Sequence, residues 1–299
     1  MEKRNLSGEL YVVFAGICWG LIGLFTRQMN KAGLNSIQVT FLRNFAAAVL
    51  LLVLILIKNK KLIRIRFKDI WMFCGTGILS IAFFNICYFK TIEMTSLSVA
   101  AVLLYTAPAI VVMMSCIFFK EKMNRKKGIA LILAFAGCVC TTGIIGKQQS
   151  VSYMGVLIGL GSGIGYALYS IFGTIAIKKY NSYTISLYTF IFASLALLPI
   201  SGLGKAAEII IDNKSVIPVT LGLSVISTIV PFLCYTKGLE RMEAGKASIM
   251  AFIEPLVATI CGIVLFHEKI TISNAAGILL IFMSVILLNI KEKSFKIHT

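Results

Sequence analysis

Residues 85–122 read NICYFKTIEMTSLSVAAVLLYTAPAIVVMMSCIFFKEK, and residues 232–269 read FLCYTKGLERMEAGKASIMAFIEPLVATICGIVLFHEK. The two stretches align without a gap at an offset of 147 residues. Cys87, Tyr88 and Lys90 fall on Cys234, Tyr235 and Lys237; Glu93 falls on Glu240 and Ala100 on Ala247. Pro108 then falls on Pro255, and Phe119, Glu121 and Lys122 fall on Phe266, Glu268 and Lys269. The same offset sets Gly16 on Gly163 and Trp19 on the aromatic Tyr166, so the repeat reaches back to the first apolar segment of each half. Compositional bias aligns Leu with Ile; it does not align Tyr, Lys, Pro and Glu at one fixed offset. The chain reads as two halves, residues 1–147 and 148–299.

Each half is a set of apolar runs. The 299 residues are 58% hydrophobic and 14% charged, with a mean hydropathy of +0.91, whereas soluble domains are about half apolar and a quarter charged. A membrane-crossing helix needs about 20 apolar residues. Such runs lie near 8–29, 36–57, 69–89, 96–119 and 128–146, and again near 153–177, 183–201, 216–236, 246–266 and 272–290. The expected fold is therefore all-α and membrane-integral, with ten transmembrane helices. Five spans per half is odd, so the second half enters the bilayer from the opposite side, giving the inverted repeats common among secondary transporters. The runs are continuous rather than alternating, which excludes a β-barrel. Glu2, Lys3 and Arg4 precede a full-length span, so the first segment reads as an uncleaved helix.

The formal net charge of +17 has a topological explanation. With a cytoplasmic N-terminus, 21 Lys and Arg fall in inner segments and seven in outer ones (Arg27, Lys31, Lys90, Lys147, Lys205, Lys214 and Lys269), with Arg43 left within a span. Both termini are then expected inside, in a multi-pass protein of the cell membrane. Anionic lipid accounts for the basic balance, and no nucleic-acid partner is called for. All eight cysteines lie within expected spans, where a thiol behaves as a small hydrophobe, so no disulfide framework is expected. His267 and His298 are the two histidines, and no His/Cys spacing suggests a metal. No metal or cofactor is expected.

The motifs Trp19-Gly20, Phe41-Leu42-Arg43, Tyr105-Thr106-Ala107-Pro108 followed by Phe118 to Lys122, and Ile253-Glu254-Pro255 followed by Phe266-His267-Glu268-Lys269 resemble those of the drug/metabolite transporter superfamily. In order and spacing the chain is most similar to its EamA-like family, over nearly its whole length. The resemblance implies a ten-helix inner-membrane carrier with a cavity between its halves, often an exporter of amino acids or other small metabolites.

Few ionisable residues lie within spans, where insertion costs about 2.5 to 3.5 kcal/mol each. Glu254 falls about nine residues into the ninth span, close to the midplane. A carboxylate there can exchange a proton or hold a cation; alternatively it hydrogen-bonds backbone that Pro255 leaves unsatisfied. Arg43, about 10 Å below the outer surface, snorkels, gates, meets an anionic substrate group or pairs with Glu254. Pro108 and Pro255, at matching depths, are expected to bend the fourth and ninth helices beside a midplane site, or to be packing kinks. Trp19, Asn85, Tyr88, Tyr105, Thr106, Ser162, Tyr166, Tyr169, Ser227, Thr228, Tyr235 and Ser248 lie at similar depth, and about half are expected to touch the cavity. Tyr166 and Tyr169 share a helix face, and an aromatic lining suits an aromatic ring or a cationic amine. The glycines at 155, 159, 161, 163 and 165 provide small-xxx-small spacings for close helix packing.

An enzyme would need convergent nucleophiles, bases or metal ligands, which the chain lacks. An ATP-driven pump would need a nucleotide-binding motif, and none occurs. The expected function is a secondary-active, alternating-access transporter, most readily an exporter of amino acids or related amines, with proton coupling open. A facilitative carrier or importer of a cationic or quaternary amine is the alternative, and a receptor or channel is the reading of another class. The expected partners are a small-molecule solute and the bilayer, with the chain monomeric or homodimeric.

Overall fold

The computed structural model describes residues 6–144, 152–268 and 270–290. Lys3, Arg4, Lys147, Lys269, Lys291, Lys293, Lys296 and His298, which entered the charge and histidine readings, lie outside them. The described residues are helical throughout, with no strand.

The first span is α1 (Leu6–Gly20) and α2 (Ile22–Lys31), and the second is α3 (Ser36–Lys58). The third runs through α4 (Ile70–Cys74), a π-helical segment Gly75–Ala82, and α5 (Phe83–Met94). The fourth is α6 (Leu97–Leu104) and α7 (Ala107–Phe119), and the fifth is α8 (Arg125–Thr141). In the second half the sixth span is α9 (Tyr153–Ala176) and the seventh α10 (Ser182–Leu197); a short α11 (Leu203–Asp212) follows. The eighth runs through α12 (Val216–Ser224), a π-helical segment Val225–Ile229, and α13 (Val230–Leu239). The ninth is α14 (Ala244–Met250) and α15 (Ile253–Phe266), and the tenth α16 (Ile272–Asn289). Nine of these stretches are long and apolar enough among the described residues to cross a membrane. The fifth, 17 residues long, ends at Thr141 rather than near 146.

Polar caps start the spans. Asn35 and Gln38 form a reciprocal capping box at α3, and Ser96, Asn124, Ser152 and Thr271 accept a backbone N–H at α6, α8, α9 and α16. Large apolar side chains such as Phe14, Ile57, Ile117, Ile132, Leu279 and Phe282 face outward, as a lipid-facing surface requires.

The halves interlock. The first span of the first half packs on the ninth through Gly16 and Gly20. A Cβ at Gly16 would collide with Ile253 Cγ2, and one at Gly20 would lie 2.8 Å from the Glu254 carbonyl. The sixth span makes the equivalent contact with the fourth: a Cβ at Gly163 would lie 2.5 Å from Thr106 Oγ1. Gly155 and Gly159 approach Thr95 and Leu103 on the same seam, as the small-residue spacing predicts.

The fourth and ninth spans differ from the expectation of bent helices. Each is interrupted, at Tyr105–Thr106 and at Ala251–Phe252, rather than bent about its proline. Pro108 is the second residue of α7 and Pro255 the third of α15, where the N–H that proline lacks has no intrahelical partner in any case. The prolines begin new half-helices. Two further features were not expected: the paired π segments, and α11, whose Ala206, Ile209 and Ile210 join the apolar cluster that contains Met29 and Leu34.

Candidate functional site

A cavity of about 620 Å³ lies between the halves, lined by both. Its deep wall is aromatic. Trp19 meets Phe232 edge-on at 5.4 Å between ring centroids and Tyr235 at 5.3 Å, while Tyr169 packs edge-on against Phe232 at 4.9 Å and Phe84 against Tyr166 at 5.4 Å. Two hydroxyl pairs pin these rings: Tyr169 with Thr236 Oγ1 at 2.8 Å and Tyr235 with Ser170 Oγ at 2.7 Å.

Two charged side chains reach this wall. Glu254 is the second residue of α15, so its carboxylate stands at the positive end of that half-helix, while its own N–H donates to the Ala251 carbonyl at 2.9 Å. Tyr166 donates its hydroxyl to Glu254 Oε2 at 3.1 Å. No backbone N–H reaches the carboxylate among the described residues, so the hydrogen bonding around Pro255 does not employ it. Arg43 comes from the middle of α3 and is 7% exposed. Its Nε has no partner, and its guanidinium makes no hydrogen bond or ion pair with the described residues. It does not pair with Glu254, although the two charges attract across the cavity. A buried guanidinium without a partner is costly and leaves five donors for a visitor.

The structure thus gathers Trp19, Arg43, Asn85, Tyr88, Tyr105, Tyr166, Tyr169, Tyr235 and Glu254 around one cavity. Pro108 and Pro255 do not line it. Neither do Thr106, Ser162, Ser227, Thr228 or Ser248, which face packed neighbours: Ser162 Oγ donates to the Gly159 carbonyl and Ser248 Oγ to that of Gly245. Several lining residues carried no sequence signal, among them Thr40, Phe84, Ser170, Phe232 and Thr259. They are ordinary span residues until packing sets their face. Ser80 lines the cavity from the first π segment, where the wider turn changes which side chains face inward.

Among the described residues the lining of the cavity runs out to one end of the bundle. Arg27, Asn30, Ser36, Leu97, Ser98, Thr141, Thr142 and Glu268 surround its mouth. Arg27 there pairs with Glu268 at 2.5 Å and lies over the Phe266 ring at 4.0 Å. The opposite end is shut. Glu121 accepts the backbone N–H groups of Ala244 at 2.7 Å and Gly245 at 3.1 Å, and Lys127 bridges Glu121 and Glu243. Lys246 pairs with Glu9, and Arg241 donates to Ser7 Oγ, both at 2.5 Å. No group of three or more His, Cys, Asp or Glu poised for a metal occurs among the described residues, and all eight cysteines are free thiols.

Comparison with known proteins agrees with this architecture. The profile of the EamA-like transporter family matches residues 6–143 and again 153–290. An "Uncharacterized transporter" of Archaeoglobus fulgidus is 28% identical over 94% of this chain and 95% of its own. "Uncharacterized transporter YvbV" of Bacillus subtilis is 28% identical over 96% and 93%. "Uncharacterized inner membrane transporter YicL" of Salmonella typhimurium is 26% identical over 96% of each. A solved crystal structure superposes with a TM-score of 0.77 over 94% of this chain and 96% of that one, at 16% identity, a likeness of fold.

Proposed function

The chain belongs to the EamA-like transporter family, and from that premise we propose that it carries amino acids or closely related amines across the cell membrane by alternating access, in the export direction. The observation that carries the substrate class is the presence of one deep carboxylate, Glu254, and one unpaired guanidinium, Arg43, in the same aromatic-lined cavity of about 620 Å³. That volume lies in the range of small-molecule sites. Glu254 would take the ammonium group of the solute and Arg43 its carboxylate. Tyr166, Tyr169, Tyr235 and Trp19 would pack the side chain and contribute cation-π attraction. A zwitterion answers both charges at once, which lowers the desolvation cost of each.

In this proposal both termini lie in the cytoplasm. Among the described residues the shut end carries most of the Lys and Arg, including Lys58, Lys60, Lys61, Arg64, Arg66, Lys126 and Lys127, and basic loops stay inside. The cavity mouth then faces outward, the conformation from which an exporter releases its load. A proton on Glu254 would compete with the ammonium group and offers a route to coupling.

The aromatic wall also favours a second reading, a carrier of quaternary amines without a carboxylate. One experiment addresses both. Purified protein in liposomes is loaded with unlabelled solute and given radiolabelled amino acids or quaternary amines outside. Saturable counterflow of amino acids supports the proposal, and counterflow of amines alone supports the second reading. Flux that neither saturates nor exchanges would identify a channel, and no flux of either class would remove both substrate readings.

A further inference from the structure

The shut end contains a contact whose counterpart is present, but unmade, at the open end. At the shut end the chain turns after α7 at Lys120, in the left-handed region at φ 56°, and the Glu121 N–H donates to the Ser115 carbonyl at 3.3 Å. That turn aims Glu121 at the first two N–H groups of α14. At the open end the equivalent turn follows α15: His267 has φ 54°, and the Glu268 N–H donates to the Gly262 carbonyl at 3.1 Å. The three residues at each end, Ser115, Lys120 and Glu121 against Gly262, His267 and Glu268, correspond at the offset of 147. The helix equivalent to α14 is α6, and the residues equivalent to Ala244 and Gly245 are Leu97 and Ser98. Both line the cavity mouth. Their N–H groups make no hydrogen bond to any described residue, while the Ser96 side chain occupies only that of Val99.

We propose that Glu121 and Glu268 are a reciprocal pair of gate carboxylates: when the cavity opens to the shut side, Glu121 leaves α14 and Glu268 closes the present mouth by accepting the N–H groups of Leu97 and Ser98. In the present state Glu268 is held aside by Arg27 and lies over Gly262, where a Cβ would come within 2.6 Å of its Oε2. The two holds are unequal. The Arg27 and Glu268 side chains are 50% and 49% exposed, whereas those of Lys127 and Glu121 are 7% and 9% exposed. An exposed pair is easily exchanged for a charge-assisted contact with backbone donors, so Glu268 is free to move once the Glu121 contact has parted. Lys127 has no basic counterpart, since Asn274 stands at the equivalent position. The cycle therefore rests in the present, mouth-open conformation.

The proposal rests on alternating access, but its test needs no solute. Amide hydrogen exchange of the full-length protein in lipid nanodiscs reads the two sets of N–H groups directly, so it can fail while the transport reading stands. In the unmodified protein the amides of Ala244 and Gly245 should be protected and those of Leu97 and Ser98 should exchange freely. Glu121→Gln should speed exchange at Ala244 and Gly245 roughly tenfold and slow it at Leu97 and Ser98. Adding Glu268→Gln should abolish that slowing while leaving the first effect. Should Glu121→Gln fail to fold, Arg27→Ala, which weakens the hold on the mouth-open state at an exposed residue, should still shift the balance, speeding exchange at Ala244 and Gly245 about threefold and slowing it at Leu97 and Ser98. Unchanged exchange at Leu97 and Ser98 in the folded variants overturns the proposal. So does slowing that persists in the Glu121→Gln, Glu268→Gln double variant, because some other group would then be closing the mouth.

Discussion

Glu254 occupies an asymmetric position: its equivalent in the first half is Ala107, so the deep wall of the cavity holds one carboxylate where symmetry would give two or none. Its observed partner is the Tyr166 hydroxyl, which Gln can also accept. Glu254→Gln should therefore fold normally and retain its melting temperature within a degree or two, yet lose the dependence of transport on a pH gradient, because an amide exchanges no proton. Flux into liposomes with and without an imposed gradient measures this, and an unchanged response would remove the coupling role. Arg43 gives a complementary expectation. If it binds the solute carboxylate, Arg43→Gln should weaken amino acid binding by about tenfold or more, the loss expected for a charged hydrogen bond, and spare amines lacking that group. Competition binding with matched amine and amino acid pairs reads the difference. Equal loss for both classes would assign Arg43 to architecture.

At the scale of the element, the broken fourth and ninth spans set the site. Tyr105 lies at one break and Glu254 two residues past the other, because a half-helix start brings a side chain and an N-terminal dipole to the same depth. Pro108 and Pro255 sit inside first turns, where they cost little. Pro255→Ala should accordingly shift stability by less than about 1 kcal/mol, seen as a small change in melting temperature with the cavity intact. The glycine seams behave oppositely. At Gly163 an added Cβ meets Thr106 Oγ1 at 2.5 Å and the Leu103 carbonyl at 3.0 Å, and backbone cannot rotate away. Gly163→Val should lose about 1 to 3 kcal/mol from overpacking, measured as reduced yield and a lower melting temperature. Gly23, with nothing within 4 Å of its Cβ position, should accept Ala without such loss.

At the scale of the molecule, the inverted repeat makes a prediction about sides. In single-Cys variants a membrane-impermeant maleimide should reach position 64 only from the cytoplasm and position 208 only from outside. Those positions are held at opposite ends: Tyr188 donates to the Ile63 carbonyl at 2.7 Å at one, while Gln38 donates to the Gly202 carbonyl at 3.4 Å at the other, close to α11. Labelling of both from one side would contradict an odd number of spans between them.

The sequence by itself determined the membrane-spanning class, the two-half organisation and the deep polar and aromatic residues. Length, hydropathy and a fixed offset are properties of the chain before it folds, and a polar group kept in apolar surroundings marks itself. All nine residues named for substrate or coupling stand around one cavity for that reason. Tertiary structure decided what depends on facing and on partners. A 3.6-residue period does not tell which stripe of an apolar helix meets a cavity and which meets lipid, so Phe84, Ser170 and Phe232 were invisible while Ser162 and Ser248 were misleading. Proline composition announced a disturbance in two helices, but whether the chain bends or begins again is settled by the packing of Gly16 and Gly163 against the breaks. The bond from Glu121 to the start of α14 joins residues more than 120 positions apart in sequence. Only folding brings the donor and acceptor together, and only folding leaves the equivalent donors at Leu97 and Ser98 waiting at the other end.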